Sequence, residues 1–256
     1  MFQKRIRKFV IMFVLLIMSG SIFAQDMSNT LIMARAVDAT GLDPHTQTTF
    51  ASLRLLELVY EPLVVTDSNL NLQPALATGW EFSDDGMTLT FTLREGVTFH
   101  DGSDFTADDV IASFSRILDE ETASAARTNY LSIDSMEAPD DLTVVFNLNT
   151  PDVPLLSAMA STNAVILSSD VIDSEDPSLV TAGTGPFMLD SWTPDETTVL
   201  SANGSWWGEG PFIDGIEIRI IPDETSILAA LRAGTVDFAL IRDPLVATLL
   251  MDDASV

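Results

Sequence analysis

The chain has no cysteine, no lysine beyond Lys8, and only two histidines and two tyrosines. Each shortage excludes something. Without cysteine there is no disulfide framework, no Cys-ligated zinc and no thiol nucleophile. The scarcity of base excludes nucleic acid as a partner. Only 12 Lys+Arg face 38 Asp+Glu, for a net charge of −26, and Lys4, Arg5, Arg7 and Lys8 take four of those 12. The eight arginines left for the rest of the chain cannot displace counterions from a phosphate backbone. Aromatic residues are few (8%), yet 46% hydrophobic residues over 256 positions is far too apolar for disorder and enough for one large core or two small ones.

Catalytic signatures are missing as well. There is no G-x-S-x-G elbow, no H-E-x-x-H and no Gly-rich phosphate loop. Neither His45 nor His100 has a His or Cys partner at ligand spacing, so both read as structural residues, and no metal or cofactor site is expected. Asp84-Asp85-Gly86 and Asp101-Gly102-Ser103-Asp104 lack the alternating oxygens and closing Glu of a calcium loop and read as turns. With 38 carboxylates, an exported carboxylate-dependent hydrolase stands as the alternative function, although nothing singles out two acids for general acid and base work.

What is present begins with a leader. Lys4-Arg5-Ile6-Arg7-Lys8 is a positive n-region, Phe9 to Met18 is an unbroken apolar run, and Ser19 to Ala24 supplies small residues before a cut. The run is short of the ~20 apolar residues that a membrane span requires. Residues 1–24 are therefore expected to be a cleaved signal peptide, placing the protein in the periplasm or outside the cell, with no cysteine to carry a lipid anchor.

The remainder mixes strand and helix periods without repeats. Thr30 to Val37 reads as a strand, and Leu53, Leu55, Leu56, Leu58 and Val59 as a helix ended near Pro62. Leu63 to Thr66 follows as a strand. Thr88 to Arg94 alternates cleanly, putting Leu89, Phe91 and Leu93 on one face behind an Asp84-Asp85-Gly86 turn. Thr106 caps a helix running to Leu118, with Val110, Ile111, Phe114 and Leu118 as its buried stripe. Strands are expected at 142–148, 164–167, 187–192, 197–200, 216–221 and 236–241, with short helices at 155–160 and 224–233, the latter capped by Asp223 and closed by Gly234. The class is α/β with a mixed sheet.

An ordered set of segments carries a resemblance. Gly41-Leu42-Asp43-Pro44-His45 is followed by Val59-Tyr60-Glu61-Pro62-Leu63-Val64, and then by Gln73 through Gly86. Thr88 to Gly102 and Phe105-Thr106-Ala107-Asp108-Asp109-Val110 come next. Gly183-Thr184-Gly185-Pro186-Phe187, Asn203 through Trp207, Ile220-Ile221-Pro222-Asp223 and Leu228 to Asp237 complete the set. Together these resemble the extracellular solute-binding proteins, family 5, of ABC importers for oligopeptides, dipeptides and nickel.

The resemblance implies a periplasmic-binding-protein-like fold in which two hinged lobes close on a ligand. Residues 25–241 correspond to lobe I and 242–256 to the hinge and start of a truncated second lobe, the rest of which is missing. The implied function is capture of a small solute, a short peptide foremost, for ABC transporter permease subunits, by a monomer without enzymatic activity. Nickel chelates, sugars and opines also fall within the family's range. By position in the motif, Thr46, Gln47, Thr48, Thr49 and Phe50 match a pocket-lining segment. Ala126 aligns with an aromatic of some peptide binders, and Arg127 and Tyr130 beside it are candidates for a ligand carboxylate or ring, with a surface ion pair as the plain alternative for Arg127. Trp80, Trp206 and Trp207 read as core or wall before ligand platforms.

The acid excess suits a salty environment, where screening over a Debye length quiets self-repulsion. The melting temperature is expected to rise between low and high salt, and a flat response in differential scanning fluorimetry would discard salt adaptation.

Overall fold

A computed structural model describes residues 29–251, apart from residues 175, 179 and 180. The leader expected at 1–24 lies outside the described residues, as does the end of the 242–256 segment. Among the described residues no helix is long and apolar enough to cross a membrane.

Two sheets organise the chain. The first has strand order β11-β1-β10-β9-β8, formed by β1 (Thr30–Arg35), β8 (Phe187–Thr193), β9 (Thr197–Ala202), β10 (Gly215–Ile220) and β11 (Phe238–Leu240). β1 lies parallel to both β10 and β11, while β9 runs antiparallel to β10 and β8 antiparallel to β9. The sheet is thus mixed, as expected. Its faces are covered differently because strand side chains alternate. Met33, Ile216, Ile218, Phe187 and Leu200 pack beneath α1 (Phe50–Val59), which contributes Leu55, Leu56 and Val59. Ile32 and Ala34 face the opposite way, toward Ile227 of α5 (Glu224–Arg232) and Val236. Asp223 caps α5 by accepting from the Ser226 N–H at 3.0 Å.

The second sheet is antiparallel, β4-β5-β7-β6, made of β4 (Ala77–Phe82), β5 (Thr88–Leu93), β6 (Ile133–Asp140) and β7 (Thr143–Leu148). A small ribbon of β2 (Val64–Thr66) and β3 (Leu72–Pro74) precedes it. Leu89, Phe91 and Leu93 are buried on one face of β5, with Leu89 opposite Phe146 and Phe91 opposite Val144 of β7. Full burial of such side chains stabilises by roughly 1.5–3 kcal/mol each. α2 (Ala107–Leu118) covers that face, and Phe114 meets Phe146 edge-on at 5.1 Å. The Asp109 carboxylate reaches back to the Thr106 N–H at 2.8 Å, one half of a capping box. The stripe differs from the expected one: Ile117 is fully buried with Val110 and Phe114, whereas Ile111 and Leu118 are only partly covered.

Helices α3 (Pro154–Ala158) and α4 (Ser169–Ser174) carry the chain back between the sheets, and α6 (Pro244–Met251) follows β11. Residues 164–167 are not a strand. Ala164 closes a 3-10 turn (Thr162–Ala164) and Val165 makes only an isolated bridge to Pro62, while Ala164 and Ile166 enter one core and Val165 and Leu167 the other. Their backbone is satisfied outside any ladder, Ile166 N donating to Glu61 O (3.0 Å) and Leu167 N to Ser113 Oγ (2.9 Å). The alternation that suggests a strand thus reports two cores.

The junction between the sheets also needs glycine. Gly185 N donates to Val59 O at 2.9 Å, and a Cβ on Gly183 would lie 2.0 Å from that same carbonyl oxygen. No side chain moves aside there, because the obstacle is backbone. Gly183→Ala is expected to lower unfolding stability by about 3 kcal/mol or more in urea denaturation; a loss within experimental error would show that the junction yields freely.

Candidate functional site

Three neighbouring strands, β11, β1 and β10, are parallel, so their carboxyl ends open on one rim of the first sheet. Crevices at such ends are where open α/β sheets take ligands. A groove of about 420 Å³ lies there. Its floor is Met33, Leu58 and Ile218, and its walls are Ala36 and Val37 after β1, Thr49 to Ala51 at the start of α1, and Leu240 to Arg242 after β11.

The rim is held by a buried acid. The Arg35 guanidinium donates to Asp38 Oδ1 (2.9 Å) and to the Ala51 carbonyl (2.8 Å), joining the end of β1 to the first turn of α1. Asp38 also accepts from Ala39 N (2.7 Å), Trp192 Nε1 (2.9 Å) and Asp195 N (2.9 Å). Burial alone would raise the Asp38 pKa, but the Trp192, Asp195, Ala39 and Arg35 donors outweigh it and hold the carboxyl below its ordinary value.

The loop from Asp43 to Thr49 is staked from below. Arg116 of α2 grips Asp43 through both nitrogens, at 3.0 and 2.6 Å. Asn163 Nδ2 donates to the carbonyls of Pro44 (2.6 Å) and Gln47 (2.9 Å). His45 is fully buried, its Nε2 3.0 Å from the Val165 carbonyl. Burial, with the Arg116 charge beside it and against the pull of the Val165 carbonyl and Asp43, brings the His45 pKa down to about 4. His100 is likewise structural: Nε2 lies 2.9 Å from the Gly185 carbonyl, and burial lowers its pKa.

Of the residues expected to line a pocket, Thr49 and Phe50 border the groove. Phe50 is 62% exposed, with the Arg54 guanidinium 4.9 Å from its ring centre. Thr48 is exposed. Thr46 closes the turn on Asp43, its N–H donating to the Asp43 carbonyl at 3.3 Å, and Gln47 accepts from Thr40 Oγ1 at 2.9 Å. Ala126, Arg127 and Tyr130 do not line the groove. Tyr130 is fully buried against Phe114, with its hydroxyl donating to the Ala158 carbonyl at 2.8 Å. Arg127 donates to the Leu118 carbonyl and pairs with Glu120 at 3.0 Å, the plain alternative foreseen for it, and Ala126 is buried. Arg35, Arg54 and Arg242 line the groove and went unnoticed in the sequence. The available signal was their rarity among so many acids.

The tryptophans also find their places. Trp206 and Trp207 Nε1 donate to Glu61 at 3.1 and 2.8 Å, and Thr184 Oγ1 does so at 3.0 Å. Burial raises the Glu61 pKa despite those three donors. Arg94 lies 3.9 Å over the Trp207 ring. Trp80 is partly buried, packed on the second core beside Phe91.

Because the folded pKa of His45 is depressed, its contribution to stability is complete above the unfolded value near 6.5 and is lost as pH falls toward about 4. A histidine that protonates only on unfolding adds at most about 1.4 kcal/mol of destabilisation per pH unit in that window. Urea midpoints measured between pH 7 and pH 5 should fall for the native chain, and fall less steeply for His45→Asn, by roughly one histidine's share. Parallel pH slopes for the two proteins would contradict the buried neutral imidazole.

Comparison with known proteins follows the same lines. Residues 71–255 match the description "Bacterial extracellular solute-binding proteins, family 5 Middle". The chain is 35% identical over 201 residues to Protein XP55 of Streptomyces lividans, covering 76% of this chain and 36% of that protein. It is 29% identical over 212 residues to the glutathione-binding protein GsiB of Escherichia coli K12, covering 82% and 41%. Among solved structures, the periplasmic binding protein DppA of Helicobacter pylori, in complex with the peptide STSA, superposes with a TM-score of 0.80 at 30% identity, over 88% of this chain and 49% of that one. The chain thus spans less than half the length of each of these three relatives. It belongs to the family 5 bacterial extracellular solute-binding proteins.

Proposed function

We propose that this chain supplies one lobe of the substrate-binding component of an ABC importer, capturing a small solute outside the cytoplasm and presenting it to the permease. The observation that carries the reading is the groove at the carboxyl ends of β11, β1 and β10, walled by Thr49 and Phe50 and open along one side. Its floor is apolar and its rim carries the Thr49 hydroxyl, a combination suited to holding a short peptide by side-chain burial and backbone hydrogen bonds. Glutathione in the name of GsiB and the peptide STSA bound to DppA favour peptides as the cargo class.

In this reading residues 1–24 are the export leader, 25–241 form the lobe, and 242–256 lead toward a second lobe, placing the protein in the periplasm or outside the cell. Thr46 to Phe50 form the near wall of the cleft. No bond is made or broken: affinity comes from desolvating the ligand between two lobes, and closure is what the permease recognises.

A single wall recovers only part of the ligand's buried surface while the cost of losing translational freedom stays whole. Isothermal titration of the chain with short-peptide mixtures is expected to give dissociation constants weaker than about 100 µM. Low-micromolar binding would overturn the one-lobe reading, and turnover of the peptides would replace transport with hydrolysis.

A further inference from the structure

The groove stands apart electrically from the rest of the chain. Three arginines line it, Arg35, Arg54 and Arg242, and no aspartate or glutamate does, in a chain holding 38 of them. Only ten arginines exist, and Arg5 and Arg7 lie in the leader. Two of the three are already ion-paired, Arg35 with Asp38 and Arg54 with Glu57, although neither acid itself borders the groove. Asp38 is enclosed by Trp192, Asp195 and Ala39 as well as Arg35. Glu57 pairs with Arg54 at 2.6 Å, but its other oxygen accepts from Thr162 at 2.8 Å, and the residue borders a different cavity. Glu224 is occupied by the backbone N–H groups of Arg242 and Asp243, at 3.1 and 2.8 Å.

The Arg242 side chain is exposed, and among the described residues its guanidinium has no hydrogen-bond or ion-pair partner. It projects from the end of β11 beside an apolar floor and the exposed rings and side chains of Phe50 and Val37. A guanidinium at the mouth of a low-dielectric groove is a fork for a carboxylate, and the apolar floor accommodates a hydrocarbon or aromatic body next to it.

We propose that this groove selects an anionic ligand with an apolar body, a molecule presenting a carboxylate beside a hydrophobic group, with Arg242 as the principal cation and Arg54 as the second. The inference rests on the groove being the ligand site and adds the charge of what enters it. The protein as a whole points the other way, since its net charge of −26 repels anions. A preference for an anion over its neutral twin must therefore come from the groove itself.

The test uses two probes of one shape, naphthaleneacetate and naphthaleneacetamide, titrated into isotope-labelled chain at physiological ionic strength and followed by NMR at Phe50, Arg54 and Arg242. The carboxylate should bind about tenfold more tightly than the amide. Arg242→Gln should reduce that preference to about twofold or less, Arg54→Gln should reduce it partly, and Phe50→Ser should weaken both probes. Arg127→Gln, whose arginine pairs with Glu120 away from the groove, should leave the preference intact. Equal affinity for both probes at these residues would overturn the anionic class while leaving the groove as the ligand site. A preference that survives Arg242→Gln together with Arg54→Gln would also overturn it. If neither probe moves the groove signals, or if they move only with protein concentration as in self-association, the groove reading falls with the proposal.

Discussion

The bidentate pair between Asp43 and Arg116 is the constraint on which the arrangement of this molecule rests. It ties the loop after β1, which belongs to the mixed sheet, to α2, which covers the antiparallel sheet. Both partners are largely withdrawn from solvent, so removing either strands a charge and costs on the order of 3–5 kcal/mol. The same loop is pinned by Asn163 on two carbonyls and by His45 on Val165. With its base immobilised this way, the loop delivers Thr49 and Phe50 to the groove's edge in one geometry. The ordering entropy of that loop is met in folding.

A second constraint lies at the same junction. The Glu61 carboxylate gathers Thr184, Trp206 and Trp207 from distant parts of the chain, and Gly183 and Gly185 let the backbone close onto Val59. This explains why the segments that mark the family are mostly silent about cargo. The Tyr60-Glu61-Pro62, Gly183-Thr184-Gly185 and Trp206-Trp207 motifs build the seam between sheets. Residues facing the groove, such as Val37, Phe50 and Arg54, belong to none of those motifs.

Much of the fold was legible because its strands and helices bury single faces. β5 and β7 alternate, α1 and α5 show helical spacing, and Asp223 announces its helix. The run 164–167 misled because it feeds two cores at once, which has the same period as a half-buried strand. β3, β4 and β6 lie outside the expected strands; β6 contains Pro139, which argues against a strand and is tolerated here because β6 sits at the sheet edge with β7 alone beside it. In the candidate site, the Thr46–Phe50 loop could be named from its place in a motif. Tyr130 could not be separated from a ligand contact, since an aromatic in a turn looks the same whether it faces a cleft or Phe114.

Composition and order alone determined that this is an acidic α/β chain with structural histidines and no thiol chemistry, because those properties depend on residue types and local periods. Tertiary structure decided where the arginines meet. Arg35, Arg54 and Arg242 are separated along the chain and share one groove because the parallel strands β1 and β11 end together there and Arg35 ties the start of α1 to that rim. Convergence of that kind follows from strand order and register, which arise from long-range pairing and leave no local trace in the sequence.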